Sequence, residues 1–572
     1  MPVHNSDVVR IFEDVADLLE IQGENEFRVR AYREAARTIE SLSRSLREML
    51  EEQEDLSELD GIGDDLAEKI EEIVETGELS MLLDLKQELP EGLIDMLHVE
   101  GLGPTRVQQL YDDLGISSLD ELEQAGKNGK IETLDGFGEK TQQNILEHLE
   151  KYHGEEQRFL WSVADEVVPP LIEYLQTCDG VGEVVVAGSY RRRKETVGDL
   201  DVLVTSDSGE EVSKWFVDYE DVDEIVSRGE TKSTIILHNE LQVDLRVIPE
   251  ESYGAAMHYF TGSKPHNIAL RNIAVDEGWK LNEYGLFDED DEKLAGETEA
   301  GIYDCFDLPY IEPELREDHG EIEAAREGDL PELVELEDLQ GDLQSHTTDS
   351  DGKHSLKEMV EVAREVGHDY YAVTDHSKHV GITQGLDEDG LRDQNRRIDE
   401  LNDQYDEFQI LKGIEVDILE DGTLALKDEI LDQQDLVLCA VHTKFDLPEK
   451  QQTERICRAL EHPAVNIYVH PTCRKINERE PIDLEMETVM DTALENDSYL
   501  EINAQPVRLD LNDRYARRAK EKGLKLSIST DAHNTGHLFA LRHGIGQARR
   551  GWLEKKDVLN TRTWAELKAF LD

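Results

Sequence analysis

The feature that most constrains the fold is a short pattern repeated three times: an apolar residue, then Gly-x-Gly, then a helical stretch. It occurs as Leu59-Asp60-Gly61-Ile62-Gly63, Val99-Glu100-Gly101-Leu102-Gly103 and Leu134-Asp135-Gly136-Phe137-Gly138. Glycine permits positive φ and leaves no side chain in the way, so the amides that open the next helix can face an anion. Any one copy reads equally well as a helix C-cap glycine. Three copies favour a repeated module that grips phosphate through backbone dipoles, which needs no lysines and reads no base sequence.

The rest of the chain divides by periodicity. Residues 1 to about 150 read as nearly all helix, opening on an amphipathic stretch with Val8, Ile11, Phe12, Val15 and Leu19 on one face rather than on a leader peptide. From about 160 strands alternate with helices, with strand-like GEVVVAG, DLDVLVT, STIILH and LQVDLRVI. A Glu-rich stretch from Arg316 to Asp338 reads as a linker. An independent α/β series begins at Gly341, with YYAVTD, QILKGIEVDIL, LVLCAVH, NIYVH, YLEINA and LKLSIST. A length of 572 residues demands several domains. The expected bounds are 1–85 and 86–155 for two helical domains, 156–250 and 251–315 for two α+β pieces, 316–338 for the linker and 339–572 for the last domain.

Charge bears on the phosphate-gripping reading. The chain has 131 acidic against 59 basic residues, a net −72 spread along its whole length. Such a surface repels itself in dilute salt and suits a halophilic source, where the Debye length falls to about 3 Å near 1 M. Intrinsic disorder and an acidic partner-binding tail are both disfavoured as explanations, because the apolar residues, 38% of the chain, recur with clear helix and strand periods. Cys178, Cys305, Cys439, Cys457 and Cys473 form no CxxC pair, which points to a reducing compartment. No apolar run reaches membrane-spanning length. The expectation is a cytoplasmic monomer with no membrane partner.

Gly188-Ser189-Tyr190-Arg191-Arg192 ends a strand and opens a helix, where amides, a hydroxyl and guanidinium groups can hold a triphosphate. Asp199-Leu200-Asp201 follows at the start of a strand, so both carboxylates share one face. Asp244, within Val243-Asp244-Leu245-Arg246, lies on another strand and completes the cluster. Singly, Asp199 reads as a turn cap and Asp244 as half of a salt bridge. Jointly, three carboxylates beside a phosphate cradle suit a two-metal site.

That spacing resembles the nucleotidyltransferase palm. Tyr259-Phe260-Thr261-Gly262-Ser263 and Leu281-Asn282-Glu283-Tyr284-Gly285 resemble the thumb of the family X DNA polymerases, and the three hairpins resemble helix-hairpin-helix modules. The resemblance implies catalysis by Asp199, Asp201 and Asp244 with Mg²⁺ or Mn²⁺. It implies dNTP contacts from Gly188, Ser189, Arg192, Tyr259, Phe260 and Gly262, with Asn267 and Arg271 near the nascent pair. Gly61, Gly63, Gly101, Gly103, Gly136 and Gly138 become the contacts to DNA. On their own, Tyr259 and Phe260 read as core aromatics. Arg30-Ala31-Tyr32-Arg33 and the first hairpin resemble the N-terminal domain of the same family, and Lys69 stands where lyase-active members carry a Schiff-base amine. Asp65 replaces a nearby basic residue, and a solvated helix lysine is the other reading of Lys69.

In the last domain His and carboxylate residues recur at strand ends: His346, Asp351, Asp375-His376, Glu415, His442, His470, Asp531 and His533. A parallel barrel gathers such residues at the C-terminal ends of its strands. His354, His368 and His537 read as surface residues. Thr374-Asp375-His376-Ser377, Gly413-Ile414-Glu415-Val416-Asp417, Val469-His470-Pro471 and Thr530-Asp531-Ala532-His533 resemble the PHP family. This implies a seven-stranded β/α barrel with two or three Mn²⁺ or Zn²⁺ ions on His346, Asp351, His376, Glu415, His442, His470, Asp531 and His533. In bacterial polymerases of this architecture the domain is a 3′–5′ exonuclease. One departure stands out: in Asp342-Leu343-Gln344-Ser345-His346 the family's first histidine is Gln344. An amide is a poor Zn²⁺ ligand, so the ion served there is expected to be weakly held or absent. The main reading is a gap-filling repair polymerase with an attached nuclease. The alternatives are a DNA-targeted phosphoesterase of histidinol-phosphate type and a non-enzymatic scaffold on DNA ends.

Overall fold

The computed structural model of the chain describes all residues except 1–4, 41, 43–45, 52–54, 60, 78, 91, 98, 100–101, 135, 153–157, 379–384 and 572. Contacts divide it into two units: residues 1–159 with 217–226 and 235–242, and the remainder. Among the described residues no helix is long and apolar enough to cross a membrane.

The described residues of 5–152, in the first unit, form helices joined by short turns. Asn5–Ile21 buries Val8, Ile11, Phe12, Val15 and Leu19, the face its periodicity predicts, in a core shared with Tyr32, Ile62, Leu66 and Ile70. A second core gathers Leu102, Val107, Leu110, Phe137 and Ile145.

Apart from residues 222–226, 235–237 and 242, which fall in the first unit, the larger sheets belong to the second. Strands β1 (Val184–Val186), β2 (Asp199–Thr205), β3 (Val222–Arg228), β4 (Lys232–Leu237) and β5 (Gln242–Ile248) form one sheet in the order β1-β2-β5-β4-β3. The thumb-like segment has a small sheet of β6 (Lys280–Asn282), β7 (Gly285–Phe287) and β8 (Lys293–Ala295). The last domain is a parallel sheet of seven strands in sequential order: β9 (Gly341–Asp342), β10 (Tyr370–Val373), β11 (Gln409–Asp417), β12 (Leu436–Ala440), β13 (Ile467–Tyr468), β14 (Tyr499–Asn503) and β15 (Leu526–Ser529). Ser345 bridges in parallel to Ala532, bringing the first strand's end to the last strand's end. Asn560 stitches the same seam lower down, donating to the carbonyls of Gly341 and Ile528 at 2.7 Å each.

The stretch 316–338 corrects the linker expectation. Arg316 is fully buried, and a helix, Glu321–Glu327, buries Ile322 and Ala325. Its charges looked solvated because their partners are distant in sequence. Glu321 meets His266 Nδ1 at 2.6 Å, and Arg316 donates to Glu299 and, at 2.8 Å, to the Ile311 carbonyl. Burial works to raise the Glu299 pKa, but Arg316 and Arg191 outweigh it and hold the carboxyl well below its usual range. Glu299→Gln leaves a buried guanidinium without its counter-charge and is expected to cost about 3–5 kcal/mol. A lowered urea midpoint checks this.

Candidate active sites

Strand parity brings the first cluster together. Asp199 and Asp201 share one face of β2, while Leu200 and Val202 are fully buried on the other. Asp244 is buried on β5, the neighbour of β2. Its Oδ1 accepts from Thr234 Oγ1 at 2.6 Å, and its Oδ2 pairs with Lys232 Nζ at 2.8 Å. Burial, then the charges of Asp199 and Asp244, push the Asp201 pKa up to about 7 against Arg246 and Lys232. A carboxylate so reluctant to ionise is one whose counter-charge is best supplied by a divalent cation.

This shift sets a pH dependence. The folded-state pKa of Asp201 lies above its unfolded value, so its contribution to stability is full below about 4 and is lost as pH rises through about 7. A cation must displace that proton. The apparent affinity for the activating metal in nucleotide incorporation is therefore expected to be flat above about 7 and to fall about tenfold per pH unit below it. Metal titrations of incorporation at several pH values check this.

The phosphate cradle stands against the carboxylates. The Ala187 amide donates to the Asp201 carbonyl at 2.8 Å. Gly188 has φ +63°, and a β-carbon there would lie 3.0 Å from Asp201 Oδ2, an approach only glycine permits. Ser189 is half-buried in the same turn. Tyr259 and Phe260 meet edge to face at 5.1 Å, and Arg246 lies 4.3 Å over the Phe260 ring. Asn267 donates to the Tyr259 carbonyl at 2.7 Å and so fixes that turn, which ends at Gly262 with φ +70°. Arg192 donates to the Thr261 carbonyl and, at 3.0 Å, to Glu317. Arg191 instead braces Glu299, at 2.8 and 3.0 Å. Arg271 is exposed on the helix Lys264–Asp276. Lys232, Thr234 and Glu317 were not foreseen. No motif marks them, and only their neighbours do.

Each hairpin repeats one geometry. The amides of Ile62, Leu102 and Phe137 donate to the carbonyls of Leu59, Val99 and Leu134 at 3.1, 2.9 and 3.1 Å, and all three side chains are buried. Gly61 and Gly136 have φ +75° and +82°, while Gly101 lies outside the described residues. Gly63, Gly103 and Gly138 precede helices, and a β-carbon on any of them would meet nothing within 4 Å. All three of these glycines are exposed. Lys69 pairs with Asp65 Oδ1 at 2.6 Å.

In the barrel the strand ends converge on Glu415. Its carboxylate meets His346 Nε2 at 3.2 Å, His376 Nδ1 at 3.4 Å, His442 Nε2 at 3.0 Å and His470 Nε2 at 3.1 Å. Asp351 lies 3.5 Å from His376 and 3.4 Å from His533, and Asp531 lies 3.0 Å from His346. Three overlapping groups can each hold an ion: His346, Asp351, His376 and His533; His376, Glu415 and His442; His346, Glu415 and Asp531. Burial acts to lower the His442 pKa, but Glu415 and Asp417 push it up to about 9; the proton so held is one that a metal displaces. Nδ1 of His346 and of His470 and Oε1 of Gln344 are buried without a hydrogen bond, the condition of donors that fit a cation. Gln344 Nε2 donates to Glu415 Oε2 at 3.2 Å.

Other polar groups hold these in place. Asp417 takes His442 Nδ1 at 2.8 Å, and its signal was strand parity with Glu415. Asp375 is not in the metal groups; it accepts from the Thr347 amide and hydroxyl at 2.7 Å each and so orders the loop after His346. The surface reading fails for His368, which is buried and pushed down to about 4 by that burial. His537 is half-buried and stands 3.2 Å from Gln505 Nε2, while His354 is half-buried and accepts from the Thr535 amide at 3.4 Å.

Residues 3–79 match a helix-hairpin-helix domain, 93–151 a SAM-like helix-hairpin-helix tandem, 165–262 the DNA polymerase beta palm, 256–317 the DNA polymerase beta thumb and 342–505 the PHP domain. The chain is 37% identical over 572 residues to the DNA polymerase/3′-5′ exonuclease PolX of Bacillus subtilis strain 168, covering 100% of this chain and 99% of that protein. It is 26% identical over 352 residues to DNA polymerase lambda of Arabidopsis thaliana, covering 55% of this chain and 62% of that one. The corresponding protein of Rattus norvegicus is 24% identical over 344 residues, covering 55% and 56%.

Proposed function

The chain belongs to the family X DNA polymerases that carry a C-terminal PHP domain, and from that membership we propose which residues do its chemistry. It is a DNA polymerase with a metal-dependent 3′–5′ exonuclease. Its substrates are DNA and dNTPs, and gap filling is the task we assign it, in the cytoplasm and as a monomer.

Polymerisation rests on Asp199, Asp201 and Asp244, and the observation that carries this is their placement on neighbouring strands, with Asp199 and Asp201 on one face of β2 and Asp244 buried on β5, where burial and then the charges of Asp199 and Asp244 raise the Asp201 pKa. Divalent cations held there, Mg²⁺ by preference, would activate the primer hydroxyl and neutralise the leaving pyrophosphate. Thr234 and Lys232 hold Asp244 in one orientation. Gly188, Ser189 and Arg192 offer the triphosphate its donors, and Tyr259, Phe260 and Gly262 border the sugar, with the Tyr259 carbonyl pinned by Asn267. The open glycine amides of the hairpins hold the DNA backbone without lysines, which reconciles binding with a net charge of −72. Lys69, neutralised by Asp65, is read as a helix lysine and not as a lyase amine.

Hydrolysis of the 3′ end rests on His346, Asp351, His376, Glu415, His442, His470, Asp531 and His533. The unpartnered amide oxygen of Gln344 is a hard ligand and favours Mn²⁺ over Zn²⁺ at that position. Template-dependent extension and 3′ degradation by one preparation test the pairing of activities, and extension without any degradation would remove the nuclease. Gln344→His is expected to raise Zn²⁺ retention after dialysis, measured by elemental analysis, while leaving extension unchanged.

A further inference from the structure

Arg192 does not stand alone in the cradle. Its Nε donates to Glu317 Oε1 at 3.0 Å, and the same oxygen accepts Arg550 Nη1 at 3.0 Å. Arg550 comes from the helix Leu541–Arg550 of the barrel domain. It also donates to the Arg192 backbone carbonyl at 2.9 Å and, from Nε and Nη2, to Asp513 at 3.0 and 2.7 Å. Its side chain is 5% exposed, against 15% for Glu317 and 12% for Arg192. Burial, with the charges of Arg550 and Arg192 and against that of Glu317, lowers the pKa of the neighbouring Lys194. Two guanidinium groups, Arg192 and Arg550, thus share Glu317, while Arg550 also holds Asp513.

The arrangement has a direction. Buried, a carboxylate given wholly to Arg192 would neutralise it and compete with any phosphate for its donors. With Arg550 on the same oxygen, Glu317 is divided. The Arg192 carbonyl is tied down at the same time, and among the described residues no hydrogen bond engages Arg192 Nη2. We propose that Arg550 is a positioning residue for nucleotide binding: by sharing Glu317 it keeps Arg192 available to the triphosphate, so the barrel domain tunes the polymerase site. This rests on the reading of Arg192 as a triphosphate ligand. The hydrogen-bond partners of Arg550 include none of the barrel's metal groups.

The test is steady-state incorporation on a gapped primer by the full chain, with KM for dNTP and kcat separated. Arg550→Gln is expected to raise KM about tenfold with kcat within about twofold, the signature of lost ground-state binding. Glu317→Gln added to it removes the carboxylate that now monopolises Arg192, and KM is expected to return to within about threefold of wild type. A merely structural Arg550 gives the opposite result, since a second lost ion pair deepens the damage. A double variant no better than Arg550→Gln, or a single variant whose kcat falls with KM unchanged, overturns the proposal. Arg192→Lys separates the premise: if it leaves KM unchanged, Arg192 is no triphosphate ligand and the proposal falls with that reading. All variants should degrade 3′ ends at the wild-type rate.

Discussion

Asp244→Asn is expected to lower single-nucleotide incorporation into a gapped primer by about 10³-fold or more, with 3′ degradation by the same preparation unchanged. The substitution keeps the shape of the side chain. Thr234 can still donate to the remaining oxygen at the position it holds now, 2.6 Å from Oδ1, so β5 has no reason to move. What is lost is a charge, buried at 6% exposure, that draws a cation to the face shared with Asp199 and Asp201. The loss is compounded by Lys232, whose ammonium lies 2.8 Å from Asp244 and would be left beside the site without its partner, repelling the metal. Asp199 is exposed, so Asp199→Asn should cost less than Asp244→Asn. Incorporation within about tenfold of wild type would remove Asp244 from the catalytic set.

Strand parity made these carboxylates legible, because a D-x-D pair on a strand has only one way to point. The barrel ligands were legible for a related reason: a ligand just past a strand lands at the same end of the barrel whatever its distance along the chain. What escaped the sequence was pairing between remote charged residues. Arg316 meets Glu299 across 17 residues and His266 meets Glu321 across 55, so each looks solvated in its own segment. Arg550 and Arg192 are 358 positions apart, and the motif that drew attention to Arg192 carried no trace of the residue that holds its carbonyl. In a chain with 190 charged side chains, the 131 acidic and 59 basic residues taken together, composition hides the few that are buried with partners. His368 shows the same limit, since nothing around a lone histidine between Gly367 and Asp369 says that it turns inward.

Glu415→Gln is expected to abolish 3′ degradation, by about 10³-fold or more, and to strip bound metal from the barrel while primer extension persists. Four imidazoles approach this one carboxylate at 3.0 to 3.4 Å, and Gln344 donates to it at 3.2 Å, so it ties five residues of the site together. Burial acts to raise its pKa, yet His376, His442 and His346 hold it well below the usual carboxylate range. The charge is thus maintained by the ligands it organises. Removing it deprives His442 of the chief partner, and His346 of a partner beside Asp531, that keeps its pKa high, and the metal-free variant is expected to lose about 3–5 kcal/mol of barrel stability. That loss could be mistaken for loss of catalysis, and extension by the same preparation is the control, because Asp199, Asp201 and Asp244 stand on another sheet. Elemental analysis then decides between two readings. Metal lost together with degradation supports Glu415 as the shared ligand, whereas metal retained at the wild-type ratio with degradation gone would make it a proton-handling group beside ions that the histidines and Asp351 hold without it.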